Sequence, residues 1–411
     1  PYDRRHYRQY IRPDLWWNPI DGVKVGAHFE GSYLASLYNI DATVWFNTHL
    51  LRVTDDLRYT DGGFNKYAPL NYSFNWLSPI TRNMPKLQTQ INSRYLDGLW
   101  YHRAGFNWLM NDVNTVQLYG LAMWRPNSQS YDYLLAPHEW SSTDRRINSS
   151  LNAAWTHRYN YLNGNGHYTF SLRTPMLTGN HGNGFNYSYA QLEAINNNYI
   201  GKLEVRTRVF GRWGTGTRLP YESALYMAGA NDEQMMDDKY TRTLGYVPDG
   251  HNDYSRYDVG HFQQGGGLNL RGYAGYFAPD TRDGVQLEGY KGRSGASANV
   301  ELDFDNYIPL RPRFTRNWLH TDLYVFGDAG AMELSRFSLP NFYTITPTTM
   351  WSSLHVDAGV GAAFTIKNWG PFEKAKPLTI RLDLPLFLNR PPYNNPDYFT
   401  VRYVIGINRS F

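Results

Sequence analysis

The chain has 411 residues, 42% hydrophobic and 16% aromatic, with 34 Tyr and 13 Trp, no Cys and a formal charge of +4. That charge is too balanced for a nucleic-acid binder, and the missing Cys excludes a disulfide framework, a thiolate metal site or a lipidated Cys. No run approaches the roughly 18–20 apolar residues of a transmembrane helix, while abundant Tyr, Trp, Gly and Asn suits one large barrel with a polar lumen and aromatic girdles.

Residues 1–18 are basic and aromatic, with Arg4, Arg5, Arg8, Arg12, Trp16 and Trp17 around Pro13. They read as a periplasmic linker leading into a barrel over 19–411. No apolar secretory core opens the chain, so an exported protein is expected to have had a different natural N-terminus.

The first strand candidate is Gly22–Gly31, where Val23, Val25, Ala27 and Phe29 alternate with Lys24, Gly26, His28 and Glu30. One face suits lipid and the other water. Its glycines, Gly22, Gly26 and Gly31, weaken it as a strand. Further candidates lie near 40–51, 69–77, 87–96, 99–110 and 114–124, and Tyr131–Thr143 reads as a loop. A hairpin follows: Ile147, Ser149, Leu151, Ala153 and Trp155 share a face, Asn163–Gly166 supplies the turn, and Tyr168, Phe170 and Leu172 alternate on the return. Strands near 185–195 and Lys202–Gly214 complete ten candidates; in the last, Lys202, Glu204, Arg206, Arg208 and Arg212 share the wet side.

Residues 215–291 form a long irregular segment, a length that points to function. It includes the glycine-rich stretch Gly265–Tyr276 around Arg271. It also includes a polar insertion, Asn231–Gln264, with Asp232, Glu233, Asp237, Asp238, Asp249 and Asp253. Those acids fit no standard calcium loop and read as a solvated excursion. Five strands follow, in Ala296–Pro309, Leu319–Gly330, Leu354–Lys367, Leu378–Leu388 and Phe399–Phe411, each with a one-sided apolar face. Asn299, Glu301, Asp303, Asp305 and Asp328 fall on the inward parity. An all-β, closed antiparallel barrel is the only β solution in lipid, because open edges cannot be satisfied there.

Leu270-Arg271-Gly272-Tyr273, Phe326-Gly-Asp328-Ala-Gly330 and Glu301 in Asn-Val-Glu-Leu together resemble the loop motif and wall residues of the BamA/TamA outer-membrane assembly superfamily, the bacterial surface antigen family. Leu219–Gly229 resembles the lead-in to that loop. The resemblance is strong over 201–411 and architectural over 19–200. It implies sixteen strands, a loop folded into the lumen, and five strands after it ending on a C-terminal barrel signal, here Phe411. Ten candidates precede the loop and five follow it, so one strand is missing, with Thr43–Pro79 the expected place for it. The family's usual periplasmic POTRA modules have no counterpart in the sequence, and the Asn231–Gln264 insertion departs from the family's compact loop.

Arg271, with five fixed donors, is expected to pair with Asp328, with Glu301 nearby. Gly272 allows a close backbone turn and Tyr273 packs on the wall. The resemblance implies insertion or translocation of proteins at the outer membrane of a Gram-negative bacterium. Outer-membrane lipids are the expected surroundings, and unfolded outer-membrane proteins and periplasmic or lipoprotein accessory subunits the expected partners. The alternatives are an anchor or translocator barrel of a larger protein with a periplasmic, hydrolase-like domain, and a passive porin. An insertase would use a seam between the first and last strands, for which Gly22, Gly26 and Gly31 are the candidate weak points. Neither His-Glu-x-x-His, Gly-x-Ser-x-Gly nor a phosphate loop occurs, and His138-Glu139 reads as a solvated pair, so no catalytic residue, metal or cofactor is expected.

Overall fold

Strand alternation dominates the chain, and it folds as an all-β, antiparallel structure. The computed structural model describes residues 7–33, 38–52, 69–81, 83–126, 128–134, 137–176, 184–243, 260–262, 265–307, 315, 317–336, 344–367, 378–391 and 397–407.

Among these, sixteen meander strands carry the fold, eleven before the long loop and five after it. The first eleven are β1 (Arg8–Asn18), β2 (Gly22–Tyr33), β3 (Tyr38–Asn47), β4 (Leu70–Pro79), β5 (Leu87–Leu96), β6 (Leu99–Leu109), β7 (Asn114–Trp124), β8 (Asn148–Tyr161), β9 (Gly164–Pro175), β10 (Ser188–Ile200) and β11 (Leu203–Thr215). The last five are β12 (Gly295–Asp303), β13 (Leu319–Arg336), β14 (His355–Ile366), β15 (Leu378–Leu388) and β16 (Tyr403–Ile407).

The strand missing from the sequence count is β1, in the segment expected to be a linker. β1 pairs with β2 from Arg8↔Ser32 to Asn18↔Gly22. Thr43–Pro79 holds only β3, β4 and their connection. Pro13 and the Trp16-Trp17 pair hide the alternation of β1. A proline removes one ladder donor and is tolerated in such an outer strand. The three glycines assigned to a weak seam therefore lie on the second strand. Gly26 is opposite Asp14 on one side and Trp45 on the other, and Gly31 opposite Gln9 and Ile40. Both edges of β2 are bonded, so these glycines are not at a free edge. A Cβ on Gly26 would meet the Val44 carbonyl at 2.4 Å, so close cross-strand packing is the reason for that glycine.

The chain divides into two units. The first comprises Pro1–His157, Ser171–Ser188 and Thr241–Tyr246. It holds β1–β7, ordered by a continuous antiparallel ladder from β1 to β7. The second comprises Arg158–Phe170, Tyr189–Tyr240 and Val247–Phe411. Within it β11 pairs with β12, and the ladder continues through β13, β14, β15 and β16.

Both units bury the polar face of the sheet and expose the apolar one. In the first, Lys24, His28, Thr43, Asn71 and Arg94 are buried, while Val25, Val44, Phe46, Phe106 and Leu118 are exposed. In the second, Arg208, Asn299, Glu301, Asp328, Asp357 and Asp383 are buried, while Val209, Val300, Val360 and Leu382 are exposed. In β12 the alternation is strict from Gly295 to Glu301. This polarity is the inverse of a water-soluble sheet.

Candidate functional site: the Arg271 loop tip

The register of the last strands sets up an electrostatic problem. Asn299 of β12 lies opposite Asp328 of β13, and Asp328 lies opposite Asp357 of β14. Like charges directly opposite on one face repel, and both aspartates are buried. The sheet needs donors above this row, and the long loop supplies them.

The loop is fixed first by apolar packing. Leu225, Met227, Leu268, Leu270, Tyr273, Tyr276 and Ala278 form one buried cluster with Phe210 of β11, Met332 of β13 and Leu388 of β15. Leu225–Tyr226 pairs with Lys291–Gly292 and ties the two ends of the loop together. Between Leu270 and Tyr273 the chain makes one tight 3-10 turn over Arg271–Tyr273. Anchoring both flanking side chains aims Arg271 at the row of aspartates.

Arg271 is fully buried. Its Nε donates to Asp328 Oδ2 at 2.7 Å and its Nη2 to Asp328 Oδ1 at 2.9 Å, a bidentate fork. Its Nη1 donates to Glu301 Oε1 at 2.6 Å, and Asp383 lies 3.8 Å from the same nitrogen. The guanidinium carbon sits 3.9 Å from the centroid of the Phe326 ring, a cation–π contact. Asn299 Nδ2 donates to Asp328 Oδ1 at 3.1 Å and to the Asn269 carbonyl at 3.1 Å, so the row also holds the loop backbone.

The next residue satisfies the second aspartate. The Gly272 N–H donates to Asp357 Oδ2 at 3.1 Å. A Cβ on Gly272 would lie 2.3 Å from Leu388 Cδ2 and 2.8 Å from Asp357 Cβ, so only glycine lets the backbone come this close. Tyr273 donates its hydroxyl to Asn389 Oδ1 at 2.9 Å and meets the His355 ring edge-on, with centroids 4.8 Å apart.

The structure thus brings Arg271, Gly272, Tyr273, Glu301 and Asp328 to one place. Phe411 lies outside the described residues, and Gly22, Gly26 and Gly31 belong to the other unit. Sequence reasoning missed Asp357, Asp383 and Arg381. Arg381 Nη2 donates to Glu301 Oε1 at 2.5 Å, its Nε donates to the Tyr324 hydroxyl at 3.0 Å, and that hydroxyl donates to Asp383. Their inward parity was visible in the alternation of β14 and β15. Glu301, Asp328 and Asp383 thus share two guanidinium groups, and Asp357 is held by the Gly272 N–H, which makes the site a clamp.

Two other expectations change. Glu139 is buried, and its neighbour Trp140 lies under the Arg125 guanidinium at 4.7 Å, so that segment is packed where solvation was expected. In the polar insertion, Asp232 binds buried Lys291 at 2.7 Å and Glu233 accepts from the Ser223 hydroxyl at 2.6 Å. Asp249 and Asp253 lie outside the described residues.

The first unit contains a second buried charge cluster. Lys24 Nζ contacts Asp21 at 2.7 Å and Asn71 at 2.6 Å, and it also pairs with Asp97. Asp97 in turn binds Arg242 Nε at 2.5 Å and accepts from Asn18 Nδ2 at 2.9 Å. Asp97 and Gly98 both have positive φ, 51° and 72°, in the two-residue turn between β5 and β6.

No protein-family model matches the chain, and no curated protein does. Among solved structures it is similar to BamA from Haemophilus ducreyi lacking POTRA domains 1–3, at 12% identity and a TM-score of 0.42, covering 96% of this chain and 69% of that one. It is similar to CdiB from Escherichia coli at 11% and 0.38, covering 97% and 61%. It is similar to OprD of Pseudomonas aeruginosa at 9% and 0.41, covering 97% and 92%. Likenesses at these values assign no family.

Proposed function

We propose that the chain is a transmembrane β-barrel of a Gram-negative outer membrane, of the BamA/TamA type, that inserts or translocates proteins there. The observation that carries the membrane reading is the inverted polarity of the sheet. Val209 is 57% exposed, while its neighbour Arg208 is 1% exposed. A large apolar belt in water is unfavourable and marks a membrane or partner surface; facing lipid, with charges turned to a wet lumen, it is the expected barrel surface.

The Arg271 clamp supports a gated barrel over an open pore. Ordering a long loop costs entropy, which the buried apolar cluster and the charge-assisted bonds of Arg271 offset. The loop would then obstruct the lumen at rest. Surrounding lipids, unfolded outer-membrane proteins as clients and accessory subunits are the partners this reading calls for.

The test uses the purified chain reconstituted in two ways. In planar bilayers the insertase reading expects low, flickering conductance that rises in Arg271→Ala. Steady, large currents from the unaltered protein would instead favour a passive porin. In proteoliposomes it expects accelerated folding of a urea-denatured outer-membrane protein. A closed barrel that gives no acceleration would overturn the insertase reading and favour a membrane anchor for a larger protein.

A further inference from the structure

The last hairpin of the second unit is short. β16 meets β15 only from Ile380↔Ile407 to Asp383↔Val404, whereas β15 meets β14 from Ile366↔Leu378 to Asp357↔Leu388. Before Tyr403 the ladder is irregular: Phe387↔Phe399 is an isolated bridge, and Val401 and Arg402 belong to no strand. The other edge of β16 is covered by three residues of the polar insertion. Gly260, His261 and Phe262 pair in parallel with Tyr403, Val404 and Ile405.

The direction of this pairing is informative. A hairpin neighbour runs antiparallel, and a parallel partner has to be brought from elsewhere in the chain. The segment therefore docks on an edge that the β15–β16 ladder already defines. It is also weak as a strand, since it is three residues long and begins on a glycine. Such short pairings open at lower free energy than the long central ladders. The insertion stays close to the edge when they open, because its root is held twice. Asn231 caps the helical turn Asp232–Met235 with a reciprocal bond to Gln234, and Asp232 binds Lys291 at 2.7 Å. The strand beneath is held separately, by Val404 packing with Tyr226, Ala228, Ala274 and Tyr290. Its edge thus keeps its place when the three residues leave. An uncovered edge presents a row of N–H and C=O groups that template another strand.

We propose that this edge of β16 is a strand-acceptor surface for an extended polypeptide segment, and that Gly260–Phe262 is its resident, displaceable occupant. Main-chain hydrogen bonds give the affinity in strand addition, and alternate side chains give the specificity. The partner is therefore an extended stretch of another chain running parallel to β16. The inference goes beyond the insertase reading and does not depend on it, because the surface is the same in a barrel that inserts proteins and in one that anchors a larger protein.

The test uses the full chain refolded in detergent. It has no native Cys, so introduced pairs report the register. Paired strands lie about 4.8 Å apart, within the roughly 4.4–6.8 Å that a disulfide spans between Cα atoms. Phe262→Cys/Ile405→Cys should oxidise to an internal disulfide. Phe262→Cys/Tyr403→Cys, which only an antiparallel approach would join, should not. Displacement is read by capture of a synthetic peptide of residues 257–265 carrying Phe262→Cys, offered under mild oxidation to the Ile405→Cys chain. Adding His261→Pro/Phe262→Pro to that chain removes a donor on whichever edge faces β16. Capture should then speed up by about tenfold, the effect of losing one or two ladder hydrogen bonds. A peptide that also carries Gly260→Pro/His261→Pro should show no such gain. Near-ultraviolet circular dichroism selects the folded fraction of each variant. Absence of the Phe262→Cys/Ile405→Cys disulfide would overturn the pairing. Equal capture rates with and without the prolines in the chain would overturn the acceptor edge.

Discussion

Arg271 and Lys24 are both buried cations among carboxylates, yet they are held in different ways. Arg271 comes from one loop tip and meets a row of side chains that the sheet register has already aligned. Lys24 sits on β2 and draws on a turn before it (Asp21), a strand two places along the ladder (Asn71 of β4), a hairpin turn (Asp97) and, through Asp97, a distant loop residue (Arg242). The first arrangement concentrates the donors in one side chain. The second spreads them over several, so that losing one leaves the others in place. Concentration suits a latch that releases as a unit, and distribution suits permanent bracing.

The comparison breaks first at Arg271. Arg271→Ala leaves Asp328, Glu301 and Asp357 buried together without their main cation, a loss of about 3–5 kcal/mol. Chemical denaturation of the refolded chain in detergent should show it, together with rapid proteolysis of the 216–294 loop. Arg271→Lys keeps the charge but loses the planar fork, so it should recover only part of the stability. Full recovery by Lys would mean that charge alone holds the loop.

The second test concerns the opposite face. Val209→Arg adds a charge to the exposed side of β11, beside buried Arg208. In lipid this should cost about 2–4 kcal/mol near the midplane. On a water-facing sheet the same change should stay within about 0.5 kcal/mol. Folding yield into lipid vesicles against yield in detergent separates the two outcomes.

What could be read from the sequence follows the same division. Alternation gave the inward parity of Glu301 and Asp328, and a distinctive loop tripeptide gave Arg271, because these depend on period and local motif. Asp357 and Asp383 were on the inward parity too, but inward charges are common on such strands. Only the register, Asp328↔Asp357 and Gly361↔Asp383, tells which of them are neighbours. β1 escaped because Pro13 and two adjacent tryptophans break its period, and its evidence is the ladder with β2. The Lys24 cluster gave no sequence signal, since Arg242 and Asp97 are 145 residues apart.

Asp97→Asn tests how far the second cluster is distributed. It removes the charge that faces both Lys24 and Arg242 but keeps the shape of the side chain and the positive φ that Asn tolerates. Lys24 retains Asp21 and Asn71, so the cost should be about 2 kcal/mol, less than at Arg271. A loss as large as that of Arg271→Ala would show that Asp97 alone carries the cluster.

Arg242→Ala should have the smallest effect. The Arg242 side chain is 11% exposed, and Asp97 keeps Lys24 and Asn18 when it is gone. The cost should be about 1 kcal/mol, with faster proteolysis within residues 231–264 and unchanged bilayer conductance. A double-mutant cycle makes the contrast quantitative. Coupling between Arg271 and Asp328 should exceed coupling between Arg242 and Asp97, because two parallel charge-assisted bonds in a fully buried site are compared with one in a partly open site. Equal couplings would remove the distinction between latch and brace, and a conductance change in Arg242→Ala would make the insertion part of the gate.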